Sequence, residues 1–163
     1  MVQRLGTAAS LICVLALIGT GCRAREVEKD LELTDVHTGW YDAGIVNGQN
    51  KLVPSITFRI QNISQAPIQN VQLNAVFRGV DEPEKSWGDH LVRAIDSSGL
   101  DAGATGRTLV LRSPFGHTST EPRLAMLEHS QFVDATVEIF GRHRSRPWAK
   151  MGEFKIDRLL LTE

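Results

Sequence analysis

From Pro54 to Arg78 the chain alternates apolar and polar residues in two runs joined by the polar turn Asn62-Ile63-Ser64-Gln65-Ala66-Pro67. In the first run Ile56, Phe58 and Ile60 alternate with Thr57, Arg59 and Gln61; in the second Val71, Leu73, Ala75 and Phe77 alternate with Gln72, Asn74 and Arg78. A period of two with β-branched and aromatic residues on one face is the mark of half-buried strands. The pair is expected to form the central hairpin, or the central inter-sheet pair, of a β-sandwich.

The rest of the chain extends this pattern. Leu31 to Trp40 predicts a first strand with Leu31, Leu33 and Val36 inward, followed by turn residues Tyr41-Asp42-Ala43-Gly44 and Val46 to Asn50. Trp87 to Ile95 fits a strand through His90, Val92 and Ala94, and a helix through Leu91 and Ile95; its neighbours favour strand. Thr108 to Arg112 is a short strand, and Pro114 to Glu121 a loop. Thr120-Glu121-Pro122 reads as an N-cap with Pro in the first turn of one short helix, with Leu124 and Leu127 on a shared face closing one end. Val133, Ala135, Val137 and Ile139 mark a strand; Met151 to Leu161 is expected to return as its antiparallel partner after the turn Gly141 to Pro147. About seven strands at this spacing predict an all-β, immunoglobulin-like (fibronectin-like) sandwich with one short helix.

The start of the chain has a different character. One charge, Arg4, precedes the apolar run Ala8 to Ile18, and small residues follow. That is the layout of a secretory signal peptide, too short for a membrane span, which needs roughly 20 apolar residues. The Gly19-Thr20-Gly21-Cys22 that closes it resembles the lipobox of bacterial lipoproteins, with Gly19 where Leu is usual. The resemblance implies removal of residues 1–21 and a thioether-linked diacylglycerol on Cys22, usually with an N-acyl chain. Cysteine usage agrees: Cys13 leaves with the leader, and a lone thiol in an oxidising compartment is a liability that lipidation removes. Residues 22–30 then read as lipidated cysteine and charged tether, and 31–163 as the domain. Of 163 residues 142 remain, with 17 basic against 19 acidic side chains, a formal charge of −2. This near-neutrality gives no electrostatic case for a nucleic-acid partner.

Asn62-Ile63-Ser64, the run Ile68 to Phe77 and the later Gly99-Leu100-Asp101-Ala102-Gly103 together resemble FxLYD-type lipoprotein β-sandwich modules, although Arg78-Gly79 follows Phe77 in place of Tyr-Asp. What the resemblance implies is fold more than activity.

Chemistry is sparse. The histidines at 37, 90, 117, 129 and 143 have no metal-ligand spacing and read as surface residues, so no metal or cofactor is expected. No GxSxG elbow and no phosphate loop is present; Gly103 to Thr108 is a turn, and Asp81, Glu82 and Glu84 a solvated loop. Trp40, Tyr41, Trp87 and Trp148 fall at expected strand ends, where exposed indoles form recognition surfaces and buried ones cover a sandwich edge. Arg142, Arg144 and Arg146 share one hairpin tip, suited to lipid headgroups or an anionic polymer, or simply to keeping an edge soluble. The expectation is a non-catalytic binding or scaffolding lipoprotein of a bacterial cell envelope, facing the periplasm, with an envelope protein as partner. Because Arg23 follows the cysteine where Asp would imply inner-membrane retention, the outer membrane is favoured. The alternative is a small-molecule or glycan binder that uses the aromatic loops.

Overall fold

The computed structural model describes residues 25–161; the signal-peptide and Cys22 expectations lie outside them. Two sheets face each other. The first is built from β1 (Leu31–Val46), β2 (Gln49–Asn62), β5 (Leu109–Arg112), β6 (His117–Ser119) and β9 (Leu160–Leu161). The second contains β3 (Val71–Gly79), β4 (Ser86–Ile95), β7 (Ala135–His143) and β8 (Ala149–Lys155), in the order β4-β3-β7-β8. Two short helices, α1 (Val27–Asp30) and α2 (Arg123–Glu128), complete it. The expected β-sandwich is therefore formed, and of the two readings of β2 and β3 the inter-sheet pair holds.

Alternation decides what is buried. Ile56, Phe58 and Ile60 of β2 point into the same core as Leu73, Ala75 and Phe77 of β3 and Val137 and Ile139 of β7, all 0–2% exposed. The polar residues between them lie half-buried on the outer faces. β1 and β2 form one long hairpin, paired from Leu31↔Asn62 to Val46↔Gln49 with two register shifts along it. Its turn is Asn47-Gly48, with φ of 53° and 79°. Two successive left-handed residues match the twist of antiparallel strands, so Asn-Gly is the favoured pair there.

Several elements differ from expectation. β1 does not end at Trp40 but runs through Tyr41 and Asp42, and a register shift between Asp42 and Ile45 replaces the expected turn. Residues 117–119, expected as loop, pair with β2 as β6. Gly116, just before it, lies so close to β2 that a Cβ there would sit 2.0 Å from the Leu52 carbonyl oxygen. Met151 to Leu161 is not one strand: β8 pairs with β7, whereas β9 crosses to the first sheet and runs parallel to β1 at Trp40 and Tyr41. α2 is capped by Pro122, without a side-chain cap, and buries Met126 and Leu127 while Leu124 is exposed. The expected tether is also shorter. From Arg25 onward it belongs to the fold, because Val27 inserts into the core at the end of the sandwich.

Candidate functional site

The chain enters the fold at a strongly held point. Arg25 donates from Nη1 to Ser64 Oγ (3.1 Å) and from Nη2 to the Pro67 carbonyl (2.9 Å), and its guanidinium lies 3.7 Å from Asp30. The Ile63 N–H donates to the Asp30 carbonyl (3.0 Å). These contacts fasten the entering segment to the turn between β2 and β3. Beside it lies the β7–β8 turn. The Arg144 N–H donates to the Asn70 carbonyl (2.9 Å), with Arg144 itself at φ 55°. Arg142 projects from β7, donating from Nε to Gln72 Oε1 (2.8 Å) and lying 4.5 Å over the Trp148 ring. A cleft of about 330 Å³ runs between the two segments, lined by Arg25, Glu28, His143, Arg146 and Trp148 among others. A smaller one of about 250 Å³ lies between Asn70, Gln72, Arg93 and Arg144. This end brings together the three tip arginines with Trp148.

His143 registers the local charge. Burial, and then the positive charges of Arg144, Arg25 and Arg146, hold its imidazole below the ordinary value of 6.5. The unfolded chain thus takes up a proton that the folded chain resists. The stabilising effect of neutral His143 is complete above about pH 6.5 and is lost as pH falls from there through the lowered folded value. Urea midpoints measured at pH 7.5 and 5 are expected to show a decline that His143→Gln lessens; an unchanged decline would show that His143 does not contribute to it.

The other aromatic candidates do not join Trp148. Trp40 is 0% exposed in the middle of β1, with ring centroids 4.6 Å from Phe132, 5.3 Å from His117 and 6.3 Å from Trp87. Trp87 is half-buried at the start of β4 and packs against the same core. Trp40 and Trp87 are therefore sandwich filling, not an exposed recognition pair. Tyr41 lies under the Arg112 guanidinium, 3.4 Å from its ring centroid. His117, expected on the surface, is partly buried in the aromatic cluster with Nε2 3.0 Å from the Val133 carbonyl. The four aromatic candidates do not converge on one cleft.

A groove that sequence reasoning missed runs along one flank. It is the widest of these openings, about 630 Å³, between the edges of β1 and β8, and its apolar lining is Val36, Phe154, Leu159 and Leu161. It stays open because β1, among the described residues, pairs on this side only at Trp40 and Tyr41. Thr38 Oγ1 donates to Asp157 Oδ2 and accepts the Asp157 N–H, both at 3.1 Å, closing the groove floor. Arg158 secures the strand behind it, donating to Asp134 Oδ1 (2.7 Å) and to the carbonyls of Leu127 (3.1 Å) and Phe132 (2.9 Å). Leu159 is left 58% exposed on the rim. The sequence signal was available in Leu159-Leu160-Leu161, three successive leucines that a one-faced strand cannot bury together.

Among the described residues no group of three or more His, Cys, Asp or Glu side chains is placed to hold a metal ion. No described helix is long and apolar enough to cross a membrane.

No protein-family model matches the chain, and no curated protein matches it. Solved structures with a similar course include structural-genomics target SoR45, at 10% identity and TM-score 0.46, covering 80% of this chain and 89% of that one. The putative ApaA protein from Bordetella pertussis is similar at 16% identity and TM-score 0.44, covering 79% of this chain and 94% of that one. Neither likeness says what this chain does.

Proposed function

We propose that the protein is a lipid-anchored module of a bacterial cell envelope that binds another envelope protein and carries out no catalysis. The observation that supports it is the position of Arg25, fastened to the end of the sandwich. Cys22 lies three residues upstream, so its Cα stays within ~11 Å of the Arg25 Cα even with the chain fully extended. An acylated Cys22 would hold the domain upright with its flank displayed to the periplasm. The flank carries the apolar groove, and an exposed apolar patch rimmed by Glu153 and Lys155 is the composition of a protein-contact surface. A register shift between Thr34 and His37, with Asp35 at φ 51°, bends the β1 edge. Such a bend discourages strand addition, so the partner is proposed to seat apolar side chains in the groove.

The test uses full-length protein in its native host. Wild type is expected in the membrane fraction and Cys22→Ser in the soluble one; equal solubility of the two overturns the anchor. A photo-crosslinking residue at position 159 should capture one defined protein, and the same residue at the exposed position 124 on α2 should not. Identical capture patterns from both positions would remove the groove from the proposal.

A further inference from the structure

Resting on that anchored reading, we infer that the β7–β8 end is a membrane-contact surface, with Arg144, Arg146 and Trp148 lying against anionic lipid headgroups. The length of chain is the first argument. With only residues 23 and 24 between a lipidated cysteine and the docked Arg25, no long spacer can lift this end off the bilayer. Whatever projects from it must meet the headgroup layer.

What projects from it has the right chemistry. Arg144 and Arg146 are exposed; of the nearby acids, Asp30 is buried and turned to Arg25 and to the Glu26 N–H, Glu26 pairs with Lys29, and Glu28 alone is exposed in the cleft beside Arg146, which leaves the arginines in excess. Arg93 and Arg144, with the amides of Asn70 and Gln72, line a small cleft whose donors suit a phosphate. Trp148 is 39% exposed and held by Arg142, and Ile63, on the turn that Arg25 grips, is 47% exposed. Indole rings favour the headgroup level because one part is apolar and the other a hydrogen-bond donor. Arginines around such a ring add attraction to anionic lipid. The two exposed apolar side chains and the arginines thus share the end where the anchor emerges.

The test uses residues 22–163, which contain the whole described fold and one cysteine. The Cys22 thiol is coupled to a maleimide lipid in vesicles containing brominated phosphatidylcholine, with or without phosphatidylglycerol. Tryptophan fluorescence should be quenched in the anionic vesicles, and Trp148→Phe should abolish the quenching, since Trp40 is fully buried and the half-buried Trp87 lies at the opposite end of the second sheet. For untethered Cys22→Ser protein, partitioning onto phosphatidylglycerol vesicles should fall about fivefold per arginine, or about thirtyfold for Arg144→Gln with Arg146→Gln, and weaken with salt. Three results overturn the inference: no quenching when tethered, equal binding to neutral vesicles, or binding to a soluble anionic polysaccharide but not to vesicles. Each leaves the fractionation result for Cys22→Ser standing, so failure of the contact and failure of the anchor are separable.

Discussion

Trp40→Ala is expected to destabilise the sandwich by about 3–5 kcal/mol, the range for removing a large, fully buried aromatic side chain. The indole is 0% exposed, and its neighbours are three rings from other parts of the chain: Trp87 on β4, His117 on β6 and Phe132 after α2. Removing it leaves a hole on which no single element can collapse, because the rings are held by separate backbones. Trp40→Phe should cost far less. It keeps a ring in place and deletes Nε1–H, which is buried without a hydrogen-bond partner. Urea unfolding of the two variants beside wild type measures the difference; a loss under about 1 kcal/mol for Trp40→Ala would show that the cluster is not structural. The result also governs how binding data are interpreted. Lost partner capture in Trp40→Ala would reflect unfolding, whereas Leu159 and Trp148 are exposed enough to probe binding itself.

Asn62→Ala is expected to cost about 3 kcal/mol, through hydrogen bonds and not through volume. The side chain is fully buried at the end of β2, between the loops that follow β2 and β4. Its Nδ2 lies 3.1, 2.9 and 3.1 Å from the carbonyls of Ala66, Leu100 and Asp101, and its Oδ1 accepts the N–H (3.1 Å) and hydroxyl (2.7 Å) of Ser64. Alanine would leave several of these groups without partners, and buried groups so stranded each cost about 1–3 kcal/mol. Asn62→Asp should be no milder, since a carboxylate would face three carbonyl oxygens. A second readout is local. Ser64 also receives Arg25, so cleavage by trypsin after Arg25 should accelerate in Asn62→Ala under conditions where the global fold persists. An unchanged unfolding midpoint together with unchanged cleavage would refute the role assigned to Asn62.

How much of this was legible depended on whether the signal was local. Strand identity is local, because each residue's place on a pleated chain follows from its neighbours two positions away. The alternating residues of β2, β3 and β7 therefore disclosed both the strands and the inward faces. Trp40 misled because the Tyr41 to Gly44 composition suggests a turn; the structure absorbs it as an irregularity within a longer strand, with Gly44 at φ 84°. Val27 misled for the opposite reason. A single valine among Arg25, Glu26, Glu28, Lys29 and Asp30 has no period to reveal it, and its burial depends on a vacancy beside Gly141, where a Cβ would meet Val27 Cγ2 at 3.2 Å.

The sequence by itself determined the sandwich class, the inward residues of its main strands and the gathering of arginines with Trp148 on one turn, all consequences of short-range order along the chain. It also carries the Cys22 pattern on which the anchor proposal rests. Tertiary structure alone decided which sheet each strand joins, that Leu160–Leu161 leaves β8 to run beside β1, that Trp40 is inside, and that Arg25 is fastened next to the arginine turn. The physical reason is that pairing and docking are chosen by contacts between residues tens of positions apart, for which alternation carries no record. The flank groove exists because of such a choice: among the described residues β9 pairs with only two residues of β1, and the groove lies along the edge beside them.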